Sequence, residues 1–118
     1  MKILHFEDEL SVSLAVERSL LRSFPQTEYV LVNSPYCAGL HMALEKPDVL
    51  ICDYQFEKDT LCVGILDVIL EFKGLVYVFS SWSPEEIKKT VPTLPDSVKI
   101  FSKFHLREMI EDIKDNTN

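Results

Sequence analysis

Glu7, Asp8, Asp53, Ser80 and Lys103 are far apart in the sequence, yet each follows a short apolar run. Ile3-Leu4-His5-Phe6 leads into Glu7 and Asp8, and Val49-Leu50-Ile51-Cys52 into Asp53. Leu75 to Phe79 leads into Ser80 and Ser81, and Val98 to Phe101 into Ser102-Lys103. Runs this short and this rich in Val and Ile suit buried strands of a parallel sheet. In open α/β sheets, ligands bind just beyond the carboxyl ends of the strands. The sequence therefore predicts one rim bearing three carboxylates, a hydroxyl and a lysine. Carboxylates that converge repel one another, so one of them holds a proton or a cation enters. Mg²⁺, which prefers oxygen ligands and keeps several waters, suits such a site, and no His or Cys shares the rim at zinc-like spacing. An Asp can attack phosphorus, and a lysine and a hydroxyl can then donate to the phosphoryl oxygens. Taken singly, Asp53 is a turn starter and Lys103 a counter-charge. Their coincidence on matching strand ends favours a site.

The elements that must position these groups can be taken in order. Lys2 to Phe6 is a first strand. Leu10 to Phe24 reads as a helix stopped by Pro25, with an apolar face of Leu10, Leu14, Leu20, Leu21 and Phe24 into which Glu17 intrudes. Thr27 to Asn33 is a second strand. Ser34-Pro35 starts a helix that runs to about Glu45 and gives way before Pro47. Val49 to Asp53 is the third strand, and Tyr54 to Cys62 a loop. Ile65, Leu66, Ile69 and Phe72 mark a third helix, closed by Gly74. Leu75 to Phe79 is strand four. Ser83-Pro84-Glu85-Glu86 is a capping box for a helix that ends before Pro92. Val98 to Phe101 is strand five. The last helix sets Leu106, Met109, Ile110 and Ile113 against Arg107, Glu108, Glu111 and Lys114, ahead of a polar tail. Strands alternating with helices imply right-handed crossovers. The expected architecture is α/β: one domain over residues 1–118, with a doubly wound parallel sheet of five strands in the order 2-1-3-4-5. Five helices complete a flavodoxin-like three-layer sandwich.

Composition narrows the partners. The chain is 47% hydrophobic, enough for a substantial core, and its formal charge is -7, with 19 acids against 12 Lys and Arg. That balance disfavours direct contact with nucleic acid. Cys37, Cys52 and Cys62 are odd in number and lack metal-ligand spacing, which suits a reducing compartment, with Cys52 a small core residue. No stretch is long and apolar enough to span a bilayer, and no signal peptide opens the chain, so a cytoplasmic location is expected. His5 reads as a core or strand-end histidine rather than a phosphorylated one. Trp82 is a partner-facing anchor, a lid over the rim or a half-exposed packing residue.

Ile3-Leu4-His5-Phe6-Glu7-Asp8-Glu9, Val49-Leu50-Ile51-Cys52-Asp53, Val78-Phe79-Ser80-Ser81 and Phe101-Ser102-Lys103 together resemble the receiver domain of bacterial two-component response regulators. The resemblance covers essentially the whole chain. It implies that Asp53 is the phosphoacceptor, that Ser80 senses the phosphoryl group and that Lys103 is the strand-five lysine. It also implies Mg²⁺ held by Asp8, Asp53 and the backbone carbonyl of Gln55, with Glu7 assisting through water. The implied function is Mg-dependent phosphoryl transfer from a histidine kinase or phosphotransfer protein, in a stand-alone phosphoprotein that is not an enzyme beyond self-phosphorylation and self-dephosphorylation. Output would pass to a downstream protein through the face of helix four, strand five and helix five. Three positions depart from the family pattern. No Pro follows Asp53 within a few residues, Ile100 replaces an aromatic, and Phe104 replaces the Pro after Lys103. A cis Lys103-Phe104 bond would cost ~3 kcal/mol, so a trans bond is expected, with Lys103 shifted or the local path altered. These departures motivate the alternative of a pseudo-receiver, an interaction module that works without phosphorylation. A flavodoxin-like binder of small molecules is disfavoured, because acids follow strand one where a phosphate loop would stand.

Overall fold

Val49 to Cys52 and Leu75 to Ser80 take the centre of a sheet because nearly all of their side chains can be buried on one face or the other. A computed structural model describes residues 1–33, 38–53 and 63–117, with side chains described from residue 67 onward in the last segment. The elements in order are β1 (Lys2–Phe6), α1 (Leu10–Ser23), β2 (Glu28–Val32), α2 (Ala38–Glu45), β3 (Val49–Cys52), α3 (Val63–Glu71), β4 (Leu75–Ser80), α4 (Pro84–Thr90), β5 (Lys99–Ser102) and α5 (Leu106–Thr117). All five strands are parallel, in the order β2-β1-β3-β4-β5. This is the doubly wound arrangement expected from the alternation of elements. The proposed helix start at Ser34-Pro35 and the loop from Tyr54 to Cys62 lie outside the described residues.

The period of two along each strand divides the core. Leu4, Phe6, Leu50, Cys52 and Val78 pack on the side that holds Ile69 of α3 and Ile87 of α4. Ile3, Val49, Ile51, Tyr77 and Phe79 pack on the other side, against Val16 and Leu20 of α1 and Met109 and Ile113 of α5. Odd-numbered β1 residues therefore face α1 and α5.

The structure corrects two readings. The buried face of α1 is Ser13, Val16 and Leu20, whereas Leu10, Leu14 and Leu21 are 66%, 47% and 39% exposed. Ser13 wins a core position because it is small, and its hydroxyl donates to the Leu10 carbonyl at 2.9 Å. Gly74 does not cap α3 in a left-handed conformation, since no glycine among the described residues has a positive φ. It is instead a point of close approach: an added Cβ would lie 2.6 Å from the Asp48 carbonyl oxygen and 2.5 Å from the Phe72 ring.

The capping box of α4 is present in full. Ser83 accepts from the Glu86 N–H at 3.2 Å and Glu86 accepts from the Ser83 N–H at 3.0 Å. Ile87 is the one buried residue of this helix. Ser83→Ala is expected to lower stability by about 1 kcal/mol in denaturant unfolding, the usual worth of an N-cap hydroxyl. Gly74→Ala should cost more, about 1–3 kcal/mol, because backbone has to move to admit the methyl group.

Candidate functional site

The ladder of the sheet continues past the strand ends and fixes the rim. Glu7 N–H donates to the Val32 carbonyl at 3.0 Å, Asp53 N–H to the Phe6 carbonyl at 3.0 Å, and Lys103 N–H to the Ser80 carbonyl at 2.6 Å. Two carboxylates are thereby locked inside the protein. Glu7 and Asp53 are each 1% exposed, while Asp8 points to solvent. Ligand oxygens of Glu7, Asp8 and Asp53 all lie within 4.8 Å of one another. Lys103 reaches in from β5, with Nζ 3.2 Å from Asp53 Oδ2 and 3.3 Å from Glu7 Oε1.

One ammonium among these carboxylates does not balance them. Burial, then a hydrogen bond and repulsion from Asp53, push the Glu7 carboxyl up to about 8, against the pull of the Glu9 N–H and Lys103. Burial works against the Lys103 ammonium, but Asp53 and Glu7 outweigh it and hold its pKa above the usual lysine value. A hard divalent cation would relieve the crowding. All three donors are oxygens, and two of the carboxylates, Glu7 and Asp53, are buried with the Lys103 ammonium as their shared counter-charge, so the group fits an ion such as Mg²⁺.

The structure thus brings together Glu7, Asp8, Asp53 and Lys103 as the sequence predicts. Ser80 is placed beside them and fully buried, but its hydroxyl accepts from the Trp82 N–H at 3.1 Å. Trp82 is half-buried and packs against the core on the α4 side. The proposed carbonyl ligand from Gln55 lies outside the described residues. Phe104 does not displace Lys103. The peptide bonds of the described residues are trans, and a turn carries the chain away, with Ser102 accepting from the Phe104 N–H at 3.2 Å through its hydroxyl and from the His105 N–H at 2.8 Å through its carbonyl. Phe104 itself is 87% exposed. Ile100 is half-buried against the α4-side core, where it offers no ring to rotate.

One pair of site residues escaped the sequence reading. His5 is fully buried behind Glu7, with Nε2 3.9 Å from Glu7 Oε1 and Nδ1 2.6 Å from the Tyr29 hydroxyl. Burial, then the Lys103 charge, push this imidazole down to about 3, so it is neutral near pH 7. The signal was available in the strand period: residues 3, 5 and 7 share a face, so a histidine at position 5 lies beneath an acid at position 7. A cavity of about 800 Å³ opens at the other end of the sheet, between Phe24, Asp48 and Leu75, away from these charged groups.

No protein-family model matches the sequence, and no curated protein matches it. Solved structures do match its fold. The signal receiver domain of a DNA-binding response regulator protein from Colwellia psychrerythraea is 19% identical, with 98% of this chain and 97% of that chain covered at a TM-score of 0.78. The N-terminal domain of an uncharacterized protein from Wolinella succinogenes is 23% identical, covering 98% and 95% at 0.70. The signal receiver domain assigned to the response regulator NarL of Mycobacterium tuberculosis is 14% identical, covering 98% and 94% at 0.70. The described residues have the receiver fold.

Stability of the metal-free protein should record the two shifted groups. Glu7 holds its proton to about pH 8 when folded but only to its ordinary 4.5 when unfolded, so its contribution falls as pH rises between those values. His5 resists protonation down to about pH 3 when folded but accepts a proton below its ordinary 6.5 when unfolded, so its contribution falls as pH drops below 6.5. Melting temperature is therefore expected to decline from pH 6.5 toward pH 8, and Glu7→Gln should flatten that decline. An unchanged slope in the variant would show that Glu7 does not carry the proton.

Proposed function

We propose that the chain is a phosphoacceptor receiver domain of two-component phosphorelay signalling, in which Asp53 takes a phosphoryl group from a histidine kinase or phosphotransfer protein. The observation that carries this reading is the Lys103 ammonium 3.2 Å from Asp53 Oδ2, beside three carboxylates whose oxygens lie within 4.8 Å. An Asp53 oxygen forms the new O–P bond as the P–N bond to the donor breaks. Lys103 offsets charge on the phosphoryl oxygens, having exchanged part of its contact with the carboxylates for them. Asp8 and Asp53, with the Gln55 carbonyl that the resemblance implies and Glu7 assisting through water, would hold Mg²⁺, which would supply the remaining positive charge. The Ser80 hydroxyl accepts from the Trp82 N–H and keeps its own proton to donate to a phosphoryl oxygen, which ties occupancy of the site to the segment between β4 and α4. Partner affinity then changes on the face of α4, β5 and α5. The working context is cytoplasmic, with a protein as the downstream partner, no direct nucleic-acid contact and no chemistry beyond self-phosphorylation and self-dephosphorylation. Among the described residues, no helix is long and apolar enough to cross a membrane.

The aliphatic Ile100 and the exposed Phe104 after Lys103 favour one rival, a pseudo-receiver that binds its partner without phosphorylation. Mg²⁺ followed by beryllofluoride, monitored by Trp82 fluorescence, separates the two. A response that Asp53→Asn abolishes is expected. Lys103→Ala should slow phosphorylation by a small phosphodonor about 100-fold, as for loss of one charge-stabilising donor. Silence from the parent protein, or the same response from Asp53→Asn, establishes the pseudo-receiver instead.

A further inference from the structure

Two buried serines close neighbouring strands in the same way. Ser80 ends β4 and Ser102 ends β5, and the two are partners in the register of the sheet. Ser80 Oγ accepts from the Trp82 N–H at 3.1 Å, and Ser102 Oγ accepts from the Phe104 N–H at 3.2 Å. Each is a turn in which a hydroxyl bonds the backbone two residues on. At β5 the residue enclosed by the turn is Lys103. The N–H before its Cα donates to the Ser80 carbonyl at 2.6 Å, and the N–H after its Cα donates to the Ser102 hydroxyl. These two bonds fix the peptide planes on both sides of Lys103, and with them the backbone torsions that aim its side chain. Phe104 is 87% exposed, so its ring does not anchor the turn. The Ser102 carbonyl also accepts from the His105 N–H at 2.8 Å, so one residue both closes the strand and leads the chain toward α5.

We propose that Ser102 is a positioning residue for Lys103: its hydroxyl holds the Phe104 N–H and so sets the root of the side chain whose Nζ reaches Asp53 Oδ2 at 3.2 Å. For the reaction, the inference rests on the phosphoacceptor reading proposed above, whereas the contact it explains is present without a phosphoryl group. The rim depends on that root because a single ammonium serves two buried carboxylates, Asp53 at 3.2 Å and Glu7 at 3.3 Å. A stem that loses its orientation also has somewhere to go. Lys103, Val12, Phe79 and Leu106 line a small cavity of about 170 Å³ between α1 and the start of α5. The four-carbon stem is flexible and recovers part of any misplacement. Loss of the Ser102 hydroxyl is therefore milder than loss of the ammonium itself.

Two measurements test the inference. The first is phosphorylation by a small phosphodonor with Mg²⁺. Ser102→Ala should lower the maximal rate about tenfold and leave the half-saturating donor concentration unchanged, because a charge-stabilising donor is misplaced rather than removed. Ser102→Thr keeps a hydroxyl at the turn and should recover most of the rate. A folded Ser102→Ala protein with the parent's rate, or a Ser102→Thr protein as slow as Ser102→Ala, overturns the proposal. The second is NMR of the Lys103 Cε and Nζ signals in metal-free protein at one neutral pH. Asp53→Asn should shift these signals in the parent, and much less in a Ser102→Ala background. Equal shifts in the two backgrounds overturn the proposal. A parent protein that takes no phosphoryl group sinks the phosphoacceptor reading, and the Lys103 signals then decide the role of Ser102 by themselves. Should Ser102→Ala fail to fold, hydrogen exchange at the Phe104 amide of the parent decides: protection is expected, and exchange at the rate of an open amide overturns the proposal.

Discussion

Like charges forced together at one edge of a sheet set the terms for this molecule. Glu7 and Asp53 are as buried as any leucine of the core, and one ammonium stands between them. A buried ion pair is weak support for a fold, because desolvation offsets most of the attraction, and apolar side chains of similar volume often do as well or better. Removing one partner is another matter and commonly costs about 3–5 kcal/mol. The cluster is thus expensive to keep and expensive to break. Such an arrangement is at home where a ligand relieves the surplus charge, and the three parallel ladders that continue past β1, β3 and β5 provide the rigidity to hold it there.

The sequence made the strand ends legible because a run such as Val49-Leu50-Ile51-Cys52, closed by an acid, has few alternatives to a central strand. The parallel order of the sheet then placed Glu7, Asp8, Asp53 and Lys103 together without further information. Helix α1 was less transparent. Leucines dominate any hydrophobic count, yet the sheet takes Ser13, Val16 and Leu20 and leaves Leu10 and Leu14 outside. What decides is how closely the helix can approach the strands, and that depends on small side chains that hydropathy ranks low. The direction of the Ser80 hydroxyl was also unreadable, because it depends on the turn after β4 that brings the Trp82 N–H within reach.

His5 illustrates a related limit. As a residue type on an apolar strand it reads as filler, and burial does keep it uncharged. Its interest comes from alternation: position 5 lies under position 7, and Tyr29 on the next strand lies under both. The information was in the period and the register jointly, and the register exists only once the strands are paired.

Helix α4 has seven residues and a single buried side chain, Ile87, and its first turn is held by hydrogen bonds between Ser83 and Glu86. A helix this short has little stability of its own, so its attachment is nearly the sum of those few contacts. It follows that α4 can open while the sheet stays intact, at a free energy well below that of global unfolding. The segment from Ser80 to Ser83 joins this loosely held helix to the rim. A change at the rim therefore has a nearby element whose closed and open populations it can rebalance, so that an effect of the rim on α4 can be a difference in how often the helix is docked rather than a new shape.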